Sequence, residues 1–431
     1  MSVTRNTFYN IAGGLVPTAA AILCIPYLLV QIGDEKFGVL TIIWALIGYS
    51  NLFDLGVSRS LTYEISRLNR LNRNDISSTI VAGLLIAFCT GAVGTILILL
   101  IGSAFTTSWM NIDVAFETDV YRSFFIISLA IIPVAANTAI RGALEGLNRF
   151  GSANFNRSIV GTLMFTLPAL SVWIYGPFLE CVSWFLLSGR IALVILSVGQ
   201  IKYELFGLDY RKVGGLRWSF LVPVGKVKKL LSYGVWVAIT GLIGPLMTSG
   251  DRFIIARFVS VGLLPGYIIP QEGLQKLLLL PAALFSALFP RFTEMDAVDV
   301  RAQYLIYYRI TAISMGLICL CSAMLAHPVL AWWISPAFAE KSYPITLILC
   351  LGIWINSMAQ APYTLLHAKG QPKITAIFHL IELVIYMWLL LILLPSFGII
   401  GAAYAWLIRV VIDLVLLHTA AKRYLRQYLL S

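Results

Sequence analysis

About twelve long apolar runs fill the chain between residues 8 and 421. A run of roughly 18 or more apolar residues can cross the ~30 Å hydrocarbon core as a helix. In lipid the backbone has no water to bond, so only helices and closed barrels can span it. Barrel strands are shorter and alternate in polarity, whereas these runs are long and uniformly apolar. The sequence therefore predicts an all-α polytopic membrane protein of about 12 transmembrane helices. The spans fall at 8–31, 37–65, 77–102, 121–145, 154–176, 178–200, 230–259, 264–290, 303–326, 341–367, 374–395 and 398–421. Ala19-Ala20-Ala21 in the first run imitates a signal-peptidase site, but apolar sequence continues to Val30 and only Arg5 precedes it. The first span is read as uncleaved.

The distribution of charge orients these spans. Only 12% of the 431 residues are charged, 59% are apolar, and the mean hydropathy is +0.87, against about 25% charged residues in soluble domains. A net charge of +11 would suggest nucleic acid in a soluble protein. Here the bases gather in short loops on one side, so no nucleic-acid partner is expected. One set of loops holds 21 of the Lys and Arg residues, among them Arg67, Arg70, Arg73, Lys226, Lys228, Lys229, Lys369 and Lys373; the other holds Lys36 and Lys341. Positively charged loops stay in the cytoplasm, which places both termini there. The outer loop 103–120 carries Asp113, Glu117 and Asp119 without a base.

Several classes of chemistry are excluded. Gly225-Lys226 is followed by Val227 and lacks the earlier glycine of a phosphate loop, so ATP hydrolysis is not expected. The six cysteines form neither a disulfide framework nor a zinc spacing. His327, His367, His379 and His418 have no ligand spacing, and His379 and His418 read as packed or interfacial groups. No metal or cofactor is expected. A polysaccharide polymerase or ligase would be expected to carry a large reactive outer loop. The longest here is 103–120, so the chain is not read as an enzyme.

The polar, basic stretch 201–229 separates an N-terminal lobe, 1–200, from a C-terminal lobe, 230–431, each with six spans. The halves echo one another: Gly146-Leu147-Asn148-Arg149 resembles Gly370-Gln371-Pro372-Lys373, and Arg190 in span six corresponds to Arg409 in span twelve. Six spans per half make the repeat parallel, with a pseudo-axis along the membrane normal. Two lobes flanking a cleft, rocking to expose a central site to each side in turn, are the expected architecture. Pro17, Pro26, Pro245, Pro270 and Pro281 interrupt spans one, seven and eight and are expected to bend them.

Charges inside the spans mark the functional interior, since each costs about 2.5–3.5 kcal/mol at the bilayer centre on insertion scales. Span two holds Asp54 and Arg59, span four Arg141, span six Arg190, and span seven Asp251, Arg252 and Arg257. Glu272 and Lys276 lie in span eight, Glu382 in span eleven, and Arg409 and Asp413 in span twelve. Glu272–Lys276, Arg141–Glu145 and Arg409–Asp413 are each four apart and can pair along one helix face. Arg190 and Glu382 have no opposite charge in their own spans, which leaves cross-helix pairing or a ligand. The spacings of Asp54–Arg59 and Asp251–Arg252 do not stack either pair, so these groups are expected to reach other helices or a cavity. An excess of fixed bases suits an anion such as a pyrophosphate, which Arg binds bidentately and Lys as a point charge. The acids could then carry H+ or Na+.

The order Asn6-Thr7-Phe8-Tyr9-Asn10, Ile25-Pro26-Tyr27-Leu28, Gly33-Asp34-Glu35-Lys36-Phe37-Gly38 and Phe53-Asp54-Leu55-Gly56, followed by Gly250-Asp251-Arg252-Phe253-Ile254-Ile255 and Gly266-Tyr267, resembles the O-antigen and polysaccharide flippases of the multidrug/oligosaccharidyl-lipid/polysaccharide exporter superfamily. The resemblance implies a multi-pass protein of the bacterial inner membrane. Its implied activity is flipping an undecaprenyl-pyrophosphate-linked oligosaccharide by alternating access, coupled to an ion. It implies a substrate cleft lined by the first two helices of each half, and a polysaccharide polymerase and chain-length regulator as partners. By position that nominates Asp54, Arg59, Asp251, Arg252, Glu272 and Lys276. Together with the other intramembrane charges, the candidate substrate-facing bases are Arg59, Arg252, Lys276, Arg190 and Arg409, and the candidate ion-coupling or charge-pairing acids Asp54, Asp251, Glu272, Glu382 and Asp413. The alternative is an ion-coupled small-molecule or multidrug exporter of the same superfamily.

Overall fold

The computed structural model describes residues 3–49, 56–68, 73–104, 110, 112–206, 225–231, 250–295 and 297–430. Among them the secondary structure is helical, without strands. In chain order the helices are α1 (Val3–Tyr49), α2 (Val57–Arg67), α3 (Arg73–Ala104), α4 (Val114–Leu129), α5 (Ile131–Gly146), α6 (Phe150–Tyr175), α7 (Leu179–Phe206), α8 (225–231), α9 (Asp251–Phe258), α10 (Leu264–Gln275), α11 (Leu279–Glu294), α12 (Ala297–Trp333), α13 (Pro336–Ala368), α14 (Pro372–Phe397) and α15 (Ile399–Leu430). Nine helical segments among the described residues are long and apolar enough to cross a membrane. Their apolar side chains face outward as well as inward: Leu23, Leu100, Trp173, Ile195, Val384 and Trp332 are exposed. That distribution suits lipid as the solvent and would be an aggregation hazard in water.

α1 is two helices that meet at a kink at Gly33, inside the 32–36 turn predicted between spans one and two; its φ of 79° and ψ of 163° are open to glycine and strained for other residues. Residues 50–55 of span two lie outside the described residues, and α2 follows them. Span four is two helices, α4 and α5, which meet at Ala130. Pro133 explains the break, because it has no N–H to offer the carbonyl of Leu129. Span eight is broken in the same way: a 3-10 turn at Lys276–Leu278 joins α10 to α11, four residues ahead of Pro281. Pro17 and Pro26 lie inside α1 and Pro270 inside α10. Residues 232–249 of span seven, Pro245 among them, lie outside the described residues; Leu230 and Leu231 end α8, and α9 follows the gap.

The chain forms two units, Met1–Pro245 and Leu246–Ser431. In the first, α1 packs on α6, α5 on α2 and α3, and α7 on α4 and α6. Trp44 meets Phe165 edge to face at 5.1 Å across the α1–α6 seam. α2 and α5 approach at Gly142, where a Cβ would sit 2.2 Å from the carbonyl oxygen of Ser58, and at Gly146. This is a small-xxx-small helix contact, and Thr62 Oγ1 donates across it to the Gly142 carbonyl at 2.9 Å. α8 docks on the same region. Leu230 is buried beside Leu61, Ile65, Ile76 and Ile80, Ser60 Oγ donates to its carbonyl at 2.9 Å, and Lys226 pairs with Asp75 and donates to Ser78 Oγ. At the end of the unit near Gly33, Lys36 Nζ donates to the Pro177 carbonyl at 2.7 Å and lies 3.3 Å from Asp119. The Asp119 carboxylate accepts from the backbone N–H groups of Leu179 and Glu180, satisfying the first turn of α7.

In the second unit, Phe285, Phe292, Tyr304, Leu365, Leu366, Leu417 and Leu425 form a core between α11, α12, α13 and α15. α13 and α15 approach at Gly352, where a Cβ would meet the Trp406 ring. Trp354 on α13 donates to the Ala312 carbonyl of α12 at 2.8 Å. His418 accepts or donates at Tyr304 Oη, 2.8 Å away, and lies over Tyr308, so it is the packed group expected of it.

Candidate functional site

α9 carries adjacent residues of opposite charge, Asp251 and Arg252, both buried. Successive helical residues diverge by about 100°, so the two side chains meet different partners. Asp251 Oδ2 accepts hydrogen bonds from Tyr267 Oη of α10 and Tyr386 Oη of α14, each at 2.9 Å. Gln271 Nε2, one turn beyond Tyr267, donates to the Tyr267 hydroxyl at 3.0 Å. Arg252 Nη2 donates to Glu272 Oε1 at 2.6 Å, and the Glu272 side chain is 37% exposed where that of Arg252 is 6%. A charge-assisted bond of this kind offsets the burial of the guanidinium. The exposed carboxylate is the partner that an incoming anion could replace.

Two of the predicted i,i+4 pairs do not form. Glu272 bonds Arg252 rather than Lys276, and Lys276 is exposed in the 3-10 turn. Arg409 and Asp413 make no ion pair with each other among the described residues. The guanidinium of Arg409 lies 5.8 Å from the centre of the Tyr386 ring, a cation–π separation. Asp413 Oδ1 instead lies 3.9 Å from His379 Nε2. Glu382 is buried on α14 and faces the carboxyl group of Asp413 on α15.

The structure thus brings together Asp251, Arg252 and Glu272 with Tyr267, Gln271 and Tyr386, and beside Tyr386 it sets Arg409, Glu382, Asp413 and His379. Arg190 is buried on α7 in the first unit, where no carboxylate among the described residues offsets its burial. Arg59 is exposed on α2, and Asp54 lies outside the described residues. Sequence reasoning missed Tyr267, Tyr386, Gln271 and His379. A signal for part of this was present: His379, Glu382 and Tyr386 stand at i, i+3 and i+7, one face of a helix.

Residues 3–296 match the family described as polysaccharide biosynthesis protein. A Shigella flexneri protein named "Putative O-antigen transporter" is 30% identical over 424 residues, 97% of each chain. The fold is similar to an inward-facing multidrug resistance transporter of the MOP superfamily (TM-score 0.74, 14% identity, 99% of this chain and 96% of that one). It is also similar to the lipid II flippase MurJ in an inward closed conformation (TM-score 0.70, 14% identity, 97% and 87%). A Pyrococcus furiosus transporter of the same superfamily matches with a TM-score of 0.61 at 12% identity over 99% and 95% of the two chains.

Proposed function

This chain belongs to the polysaccharide biosynthesis protein family, and we propose that within it the protein flips a lipid-linked oligosaccharide. The substrate is an undecaprenyl-pyrophosphate carrying an O-antigen or other surface-polysaccharide repeat unit. It crosses the bacterial inner membrane by alternating access, driven by coupling to H+ or Na+, and a polymerase and chain-length regulator receive it. The protein itself is a multi-pass membrane protein with a transporter fold.

One observation supports this substrate class above others: a buried guanidinium, Arg252, is held by a carboxylate that solvent can reach. Pyrophosphate oxygens can take the place of Glu272 and form a forked, charge-assisted pair with the guanidinium. The sugars need only a polar passage, and the polyprenyl tail stays in lipid.

The test is complementation of a deletion strain. Arg252→Glu should abolish surface polysaccharide at an unchanged membrane level of the protein. Arg252→Lys keeps the charge but loses the fork, and should retain partial function. Losing a charge-assisted hydrogen bond of about 1.5–3 kcal/mol corresponds to roughly 10–100-fold weaker binding. Wild-type polysaccharide with Arg252→Glu would reject the assignment. Altered drug susceptibility with normal polysaccharide in the deletion strain would favour the multidrug-exporter reading.

A further inference from the structure

Glu272 and Lys276 lie near the middle of predicted span eight, and solvent reaches both side chains. Charged groups at that depth face a wet interior rather than lipid. Arg252 of α9 is buried, and its Nη2 donates to Glu272 Oε1 at 2.6 Å. The carboxylate is the open end of this pair, so an anion arriving through water meets Glu272 before it meets Arg252. Gly273 leaves room for it: a Cβ there would meet nothing within 4 Å.

An anion on Arg252 repels the carboxylate that was there. Glu272 then needs a second partner, and Lys276 is placed to be one. The chain stays in the right-handed helical region through Gln275 (φ −59°, ψ −24°) and Lys276 (φ −64°, ψ −25°). Lys276 is thus about one turn beyond Glu272, in the acid-then-base order that pairs best on a helix. Among the described residues Lys276 forms no ion pair, so it is available. The rest of the site holds still. Tyr267 Oη donates to Asp251, and Gln271 Nε2 donates to that hydroxyl. These bonds clamp α9 to α10 on their buried side and fix the base of Arg252, while the acid on the exposed edge can change partner.

We propose that Glu272 is a displaceable counterion that releases the substrate. It holds Arg252 while the site is empty, passes to Lys276 when a pyrophosphate takes the guanidinium, and returns to Arg252 as the pyrophosphate leaves. The inference rests on the pyrophosphate reading above and deepens it. A buried guanidinium without a counterion is costly, so it would capture an anion and keep it. Affinity is measured against the empty state. Whatever free energy the Glu272 pair gives the empty state is therefore subtracted from substrate binding, and release is faster by that amount.

The experiment is calorimetric titration of the purified full chain in detergent with inorganic pyrophosphate and, in mixed micelles, with farnesyl pyrophosphate. Surface polysaccharide is measured for the same variants in the deletion strain. Glu272→Gln keeps the shape of the side chain and removes its charge. It should bind pyrophosphate roughly 3–10-fold more tightly, a gain limited by the screening of a partly exposed carboxylate. Surface polysaccharide should nevertheless fall, because release is slowed. A merely structural pair predicts weaker binding together with the lower export. Lys276→Gln should weaken binding in the wild type and have little effect in the Glu272→Gln background, where no carboxylate needs a second partner. Equal weakening in both backgrounds overturns the transfer to Lys276. Glu340→Gln, at an exposed position on α13, is the control that keeps wild-type binding and export. Tightening with farnesyl pyrophosphate alone supports the role for a lipid headgroup, and tightening with both titrants supports it for pyrophosphate from either source. Wild-type binding that Glu272→Gln leaves unchanged or weakens overturns the counterion role and leaves the flippase reading standing. Absence of binding in both proteins overturns the two together.

Discussion

At the scale of single residues, Asp251 ties three helices together. Its carboxylate is fully buried, and one oxygen takes both tyrosine hydroxyls. Replacing Tyr386 or Tyr267 by Phe removes one donor from a buried charge, at about 1–3 kcal/mol each. Thermal unfolding should show a lower Tm for each variant. The double variant should lose more than either, because Asp251 Oδ2 then loses both tyrosine donors. Asp251 and Arg252 were legible in the sequence, since charges in apolar runs announce themselves. The tyrosines were not. In a lipid-spanning helix a tyrosine reads as one more apolar ring, and Tyr386 is 135 residues from its acceptor. Glu272 was legible as an acid and mispaired as to its base, because its real partner lies on another helix.

At the scale of elements, two glycines set the path of the first unit for different reasons. Gly142→Ala would press a Cβ into the backbone of α2, where the nearest atom is a carbonyl oxygen at 2.2 Å. The cost should be about 1–3 kcal/mol of overpacking, seen as a lower Tm and faster proteolysis at α2. Gly33→Ala meets nothing within 4 Å, so its cost is backbone strain alone, about 1–3 kcal/mol. Gly33→Asn should lose about as much, because ψ of 163° at this φ lies outside the left-handed helical region that Asn tolerates and in one essentially confined to glycine; a clear recovery by Asn would contradict this. Helix existence was readable throughout because apolar length is a local property. The breaks were less so. Pro133 and Pro281 each coincide with a broken span, while Pro17, Pro26 and Pro270 lie within helices. A missing N–H becomes a break only where neighbouring packing does not carry the helix past it.

At the scale of the whole molecule, the asymmetry of Lys and Arg makes a prediction about sidedness. Alkaline phosphatase fused within 103–120 should be active, as expected of an outer loop. A green fluorescent protein fused after residue 431 should fluoresce, as expected of a cytoplasmic terminus. Activity of phosphatase fused within 201–229 would contradict the twelve-span topology. The two units, Met1–Pro245 and Leu246–Ser431, each carry their own core and their own buried base.

Hydropathy, counted along the chain, was enough to establish a helical, many-span membrane protein and to pick out Asp251, Arg252, Glu382, Arg409 and Asp413 as buried charges. Both depend on neighbours within a few helical turns. Which charge meets which was decided only by the tertiary structure: Arg252 by Glu272 and not Lys276 by Glu272, Asp251 by two tyrosines, Asp413 beside His379. Such pairings depend on distances of a few ångströms between helices far apart in sequence. Hydrogen bonds and ion pairs fall away steeply beyond that range, so no local pattern of residues records them.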